Sequence, residues 1–231
     1  MKERPILMSA PMVRALLAWT KTQTRRAMRV QPGDETSVHV EHFNQTVVDR
    51  HGDEHPGPEI FGAWWDDGES GLRCPYGAPS DRLWSRETFF AFGRWITQFN
   101  VKKGRDEWHF VDMTQELGLA YRYAADTEEA PHMMGRRDHG PTPDWWKRPA
   151  IFMPRAASRT TLEITDVRVE RLQDISESDA EAEGVDFLRS VPDADETLTA
   201  KQLYMCLWDS INGRGSWDAN PWVWAVSFKR I

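Results

Sequence analysis

Short apolar runs and short polar runs alternate from the start of the chain. Pro5-Ile6-Leu7-Met8 predicts a brief buried strand. Pro11, with its φ already near the helical value, suits the first turn of a helix running to about Ala18. Met12, Leu16 and Leu17, with Ala15 and Trp19, give that helix an apolar side. The period then changes. In Thr22-Gln23-Thr24-Arg25 a short strand puts the threonines on one face and Gln23 and Arg25 on the other. Leu83, Ser85, Glu87 and Phe89 alternate with Trp84, Arg86 and Thr88, and 119–124 reads as a further strand. From Thr161 to Arg171 the alternation is strong, with Thr161, Glu163, Thr165, Val167 and Val169 opposite Leu162, Ile164, Asp166, Arg168 and Glu170. Trp222, Trp224, Val226 and Phe228 share one face of a closing strand and predict core.

Two helices carry their own start signals. Ser176-Glu177-Ser178-Asp179 is a capping-box opening, and the helix it starts should reach Glu183 and stop at Gly184. Thr199 caps another, with Leu203, Cys206, Leu207 and Ile211 on one face. Residues 186–198 read as a loop. Between the patterned segments lie stretches without periodicity. Residues 31–70, rich in Gly, Pro, Asp, Glu and His, read as a long excursion with a short strand at 37–43. Residues 93–117 show no clean pattern, and 126–145 read as a polar loop containing His132 and His139. One domain spanning 1–231, with insertions at about 31–72, 93–117 and 126–147, is the simplest organisation.

Composition narrows the function classes. A hydrophobic content of 40% with 12 Trp supports a real core and argues against wholesale disorder. Cys74 and Cys206 stand far apart, outside any Cys/His spacing, which fits neither a disulfide framework nor a zinc knuckle. His39, His42, His51 and His55 lack the helical pairing of a zinc site, so no metal and no cofactor is expected. The N-terminal apolar run is too short for a signal peptide and no segment has the length of a membrane span; the expectation is a cytoplasmic protein. A net charge of −7 excludes a general nucleic-acid coat protein. The charge is uneven, however: Arg and Lys gather at 14–29 and 147–171, acids at 34–69 and 174–196. A local basic groove on an acidic body can hold one nucleotide or a short RNA; solvated faces of mixed sign are the alternative.

The densest chemistry is Lys21-Thr22-Gln23-Thr24-Arg25-Arg26, which offers hydroxyls, an ammonium and guanidinium donors in one short stretch. Such a set suits an anionic or nucleotide ligand; cations placed at a helix C-terminus are the structural alternative. Glu87 can pair with Lys21 or Arg25, or fix strand register as a buried ion pair. Arg155 and Arg159, just before the Thr161 strand, can hold a phosphate or a base edge. Trp145-Trp146-Lys147-Arg148-Pro149 is an aromatic-basic cluster of the kind that stacks on bases, unless its tryptophans are core. Asn212-Gly213-Arg214-Gly215-Ser216-Trp217 lacks the P-loop pattern, so no nucleotide hydrolysis is inferred.

Lys21-Thr22-x-Thr24-x-Arg26 after an apolar helix resembles the signature of the ASCH domain family, PUA-like small β-barrels tied to RNA. Ser80-Asp81-Arg82-Leu83-Trp84-Ser85-Arg86-Glu87, Asp179-Ala180-Glu181-Ala182-Glu183-Gly184 and Pro221–Phe228 agree in order along the chain. With Met153–Arg159, the whole is similar to longer ASCH-type proteins of bacteriophages and prophages. The family usually has Gly where this chain has Ser80. The resemblance implies an α+β fold: a small mixed β-barrel with flanking helices and long loop insertions. Some small members of the family are amidohydrolases acting on N(4)-acetylcytidine. Their functional positions correspond here to Lys21, Thr24 and Glu183 as catalytic residues. Arg25, Arg26, Glu87, Arg155, Arg159 and Trp217 would then line the ligand site, with a modified nucleoside or RNA as partner. A non-catalytic module that reads a modified base, with Trp217 or Trp146 as its stacking platform, is the second reading. A phage-encoded protein that engages a host factor is the third.

Overall fold

The computed structural model describes residues 1–33, 36–65, 71–126, 142–190 and 197–231. In chain order the elements are β1 (Glu3–Leu7), α1 (Ala10–Leu17), β2 (Gln23–Ala27), β3 (Val38–Val48), β4 (Glu54–Trp65), β5 (Gly71–Arg73) and β6 (Arg82–Arg86). They continue with β7 (Phe89–Asn100), β8 (Arg105–Asp112), β9 (Arg122–Tyr123), β10 (Asp144–Arg148), β11 (Thr161–Arg171), α2 (Glu177–Ala182), α3 (Ala200–Asn212) and β12 (Trp222–Arg230). This is a strand-rich α+β protein. The chain divides into two compact units, one of Met1–Ile6, Ala15–Trp84 and Thr160–Ile231, the other of Leu7–Arg14 and Ser85–Arg159.

The first unit is built on a five-stranded sheet in the order β1-β6-β11-β12-β2. Its middle strands β11 and β12 run antiparallel from Leu162 opposite Arg230 to Arg171 opposite Trp222, with a bulge between Ile164 and Asp166. The expected apolar face of β12 is buried, with Trp224, Val226 and Phe228 all in the core. Val223 and Ala225 on the other face are buried as well, because α2 and α3 cover it. Leu172, Ile175, Tyr204, Trp208, Trp217 and Val223 form that second layer. Full burial of side chains such as Leu162, Ile164 and Phe228 is worth about 1.5–3 kcal/mol each. Among the described residues none of the sheets closes into a barrel: β1 and β2 remain the two edges of an open sheet.

Residues 31–70, expected to be an excursion with only a short strand at 37–43, carry a long antiparallel hairpin of β3 and β4 that begins at that strand, with β5 added at 71–73. Its side chains are exposed along most of β3 and on both faces of the first half of β4, so no apolar alternation marks it. Pro56, Gly57, Pro58 and Gly62 further disguise β4 as loop; a Cβ at Gly62 would run into the Leu72 carbonyl, so the close strand approach needs glycine there.

In the second unit the patternless 93–117 stretch is largely the β7–β8 hairpin, turned at 101–104 with Gly104 at φ 64°. β10 and β9 also pair with β7. Phe89, Ala91, Met153 and Ala157 form its core, with Phe110, Tyr121 and Tyr123 packed against them. The strand expected at 119–124 shrinks to Arg122–Tyr123. His132 and His139 lie outside the described residues. No helix among the described residues is long and apolar enough to cross a membrane.

Candidate functional site

Lys21 sits in the turn between α1 and β2. The helix ends at Leu17, Trp19 takes the left-handed conformation at φ 63°, and the amides of Thr20 and Lys21 return to the Ala15 carbonyl at 3.0 and 3.2 Å. The Thr22 amide donates to the Ala182 carbonyl at 2.9 Å, which ties this turn to the end of α2. At the start of α2 the Ser176 hydroxyl accepts from the Asp179 amide at 3.1 Å, the N-cap half of the expected capping box, while the Asp179 carboxylate turns to Arg25 and Arg168. At its end stand Glu183 and Gly184, the latter at φ 79°.

Lys21 and Glu183 meet in the protein interior. Lys21 Nζ donates to Glu183 Oε2 at 2.8 Å, to the Glu183 carbonyl at 2.8 Å and to the Gln23 carbonyl at 2.7 Å. Those are all the protons an ammonium has. The two side chains are 1% and 4% exposed, so the pair is shielded from bulk solvent. Burial lowers the Lys21 amine below its ordinary range, and the Glu183 charge works against that shift.

A second cation locks the same carboxylate. Arg25 is fully buried; its Nε donates to Glu170 Oε1 at 2.7 Å, Nη1 to Gln23 Oε1 at 2.6 Å and, more weakly, to Glu183 Oε1 at 3.4 Å. Its Nη2 reaches Asp179 Oδ2 at 3.1 Å. Arg168 closes the ring, donating to Glu170 Oε2 at 2.8 Å and Asp179 Oδ2 at 2.7 Å, with exposed Asp166 at the rim, 3.9 Å away. Lys21, Arg25 and Arg168 therefore face Glu170, Asp179 and Glu183, three cations against three carboxylates, with two of the cations on each carboxylate. Burial would raise the Asp179 carboxyl, but Arg168 and Arg25 outweigh it and hold the group below the ordinary carboxylate range. Burial, then the Glu183 charge, push the Tyr204 phenol well above its usual value.

Thr24 stands apart from this ring. It is fully buried on β2 opposite Val226, and the pleat directs it to the face away from Gln23 and Arg25. Its hydroxyl has no hydrogen-bond partner among the described residues. Arg26 is half-buried and donates to the Arg25 carbonyl at 3.0 Å. Trp217 lies in the α3 core, edge-on to Tyr204 at 6.3 Å, and so presents no open ring face for a base. In the second unit Glu87 is buried and held by Arg159 through two bonds of 2.9 and 3.1 Å. Arg159 also reaches Asp126 at 2.7 Å and lies over the Tyr123 ring at 4.0 Å. Burial raises the Glu87 carboxyl, with Arg159 offsetting part of the shift. Arg155 sits exposed in a one-turn 3₁₀ segment of that unit. Trp146 is core, its indole N–H donated to the Gly93 carbonyl at 3.0 Å.

The sequence reading missed Gln23, Arg168, Glu170, Asp179 and Tyr204 as members of the ring. For Arg168 and Glu170 the alternation misleads: the bulge between Ile164 and Asp166 swaps the faces of β11, so Val167 and Val169 join Leu162 and Ile164 while Arg168 and Glu170 lie on the opposite face with Val223 and Ala225. Asp179 and Glu183 are four apart, on one side of a short helix. Tyr204 carries no such mark. The buried stripe of α3 is Ala200, Leu203, Tyr204 and Trp208, whereas Cys206 and Ile211 of the expected face are exposed. Two histidines of the β3–β4 hairpin pack on its aromatics, His39 on Trp64 at 4.5 Å and His42 on Phe61 at 5.1 Å, while His51 accepts from Arg50 at 3.0 Å and His55 lies 3.5 Å from Asp49. No group of three His, Cys, Asp or Glu side chains among the described residues is placed to hold a metal ion.

Two outcomes follow from the ring. At Gly184 a Cβ would lie 2.9 Å from Ala15 Cβ and 3.0 Å from Lys21 Cβ, at a backbone conformation that side chains avoid. Gly184→Ala should therefore cost about 1–3 kcal/mol, read as a lowered denaturant midpoint. Asp179 sets an acid limit. Its carboxyl titrates lower in the fold than in the unfolded chain, so its contribution is complete above about pH 4 and lost as pH falls through the folded value. Unfolding midpoints should fall below about pH 4, and Asp179→Asn should flatten that fall. Compared with models of known protein families, with curated proteins and with solved structures, the chain matches none.

Proposed function

We propose that the chain is a nucleoside- or RNA-directed protein of ASCH type, with the Lys21–Glu183 pair as its reactive centre and amide hydrolysis at an N(4)-acetylcytosine-like base as its reaction. One observation carries this reading: two ionisable side chains 162 residues apart, the same two that the motif resemblance singles out, are buried in direct contact at 2.8 Å. Perturbed, buried ion pairs of this kind concentrate at functional sites. Ser80 adds support for the resemblance. It adopts φ 74°, a conformation a glycine takes without cost, at the position where the family carries glycine. The PUA-like fold remains part of the proposal, to be judged with it.

The proposed chemistry is coherent and balanced. Lys21 passes one proton to Glu183 Oε2, a transfer that burial favours and charge separation opposes. The neutral amine takes the Thr24 hydroxyl proton as Oγ attacks the acetyl carbonyl. The C–N bond breaks, and the cytosine nitrogen leaves with the proton held on Glu183. Water then attacks the acyl-threonine, one of its protons passing through Glu183 back to Thr24, and acetic acid is released, giving up its remaining proton to solvent as acetate. This requires the Lys21 side chain to give up one of its three acceptors, and Thr24, which faces the other side of β2, to come within reach of both Lys21 and Glu183.

That requirement favours a second reading, a non-catalytic module that binds a modified base. All three ammonium protons are already donated, and Thr24 is not bonded to Lys21. Incubation of the purified protein with N(4)-acetylcytidine separates the two. Release of cytidine and acetate is the expected result. Binding of the nucleoside without deacylation ends the enzyme reading and leaves the module.

A further inference from the structure

The aromatic-basic run at 145–149 leads to a cavity of about 380 Å³ that lies wholly within the second unit. Its walls include Phe89, Phe110, Tyr121 and Phe152, with Arg148 and Asp112 as the charged pair. Phe89 is core, 2% exposed, while Phe152 at 57% exposed stands at the opening. The Arg148 guanidinium lies over three rings, at 4.4 Å from the centre of Phe110 and 4.9 Å from those of Trp95 and Phe152. It is thereby held as a flat wall rather than a swinging charge. Asp112 is exposed, yet its carboxylate is oriented: Oδ1 accepts from the Thr114 amide at 2.9 Å and Oδ2 from the Tyr121 hydroxyl at 2.9 Å. Each oxygen keeps a further lone pair for an outside donor.

These features specify a ligand. One cation and one anion cancel, so the cavity suits a neutral guest rather than a phosphate. Rings and a guanidinium plane suit a flat π-system. A fixed carboxylate accepts N–H and repels carbonyl oxygen, as when an acidic side chain accepts from the amine of cytosine. A volume of about 380 Å³ falls in the ordinary range for small-molecule sites. We infer that this cavity binds an unpaired nucleobase presenting an exocyclic amine, stacked among Phe110, Phe152 and Arg148 with its amine on Asp112. The base can come from a free nucleoside or from single-stranded RNA. No residue of the Lys21 ring takes part, so the site stands whether or not the proposed hydrolysis does.

Calorimetric titration of the full chain with cytidine, uridine and hexacytidylate tests it. Cytidine should bind about tenfold or more tightly than uridine, and Asp112→Asn should erase most of that preference. Phe152→Ala, at an exposed position, should weaken both nucleosides alike, by about fivefold or more. Tighter binding of hexacytidylate than of cytidine identifies RNA as the source of the base, and equal binding the free nucleoside. Equal affinity for cytidine and uridine, no binding of any of the three, or a preference that survives Asp112→Asn would overturn the inference.

Discussion

Glu183→Ala should destabilise the protein by about 3–5 kcal/mol, the usual cost of removing one partner from a buried ion pair. Lys21 Nζ would keep its two carbonyl acceptors but lose its countercharge, in a site where the side chain is 1% exposed. Arg25 would keep Glu170 and Asp179, so the loss falls mainly on Lys21. The reverse change, Lys21→Met, leaves Glu183 one cation, because Arg25 still faces it from 3.4 Å. It would nonetheless strip a donor from the carbonyls of Gln23 and Glu183, at about 1–3 kcal/mol for each buried acceptor left unmet. The double variant Lys21→Met/Glu183→Leu should recover part of the Glu183→Ala loss but not all of it, since those two carbonyls remain. Equilibrium denaturation of the three variants against the parent measures each step. A Glu183→Ala midpoint equal to the parent's would mean that the pair contributes nothing to the fold.

How much of this was legible beforehand depends on what each segment is held by. β12, α2, the N-cap of α3 and the extent of β11 were readable because their signals are local: alternation, a capping serine, a glycine stop. The faces of β11 were readable only as far as Ile164, because the bulge that follows swaps them. The β3–β4 and β7–β8 hairpins were not. They are held chiefly by backbone pairing between strands with many exposed side chains, and backbone hydrogen bonds leave no trace in residue type. Lys21 and Glu183 were singled out through their motifs; their contact depends on how the α2 terminus docks on the turn after α1, through Thr22 and Gly184. The ring of Arg25, Arg168, Glu170 and Asp179 was hidden for a different reason. Charged residues on a strand normally mark its solvated side, and here α2 covers part of that side. Trp217 shows the converse error: an aromatic beside glycines in a loop looked like a platform, whereas its ring fills the core around α3.

The second large effect concerns Thr24, and it is on activity. As a variant, Thr24→Val keeps the shape of the side chain and the strand preference of β2. It removes a buried hydroxyl that has no hydrogen-bond partner among the described residues, a group whose burial costs about 1–3 kcal/mol when left unpaired. The variant should therefore fold at least as well as the parent, unlike Lys21 or Glu183 variants, in which lost turnover and lost fold would be confounded. Keeping an unpaired hydroxyl at the centre of β2 makes physical sense if that oxygen reacts. The decisive measurement is release of cytidine from N(4)-acetylcytidine by parent and Thr24→Val side by side, with unfolding midpoints recorded for both. Turnover by the parent and none by a variant of equal or greater stability is the expected result; turnover by the variant at the parent's rate, or none by either, would rule out Thr24 as the nucleophile.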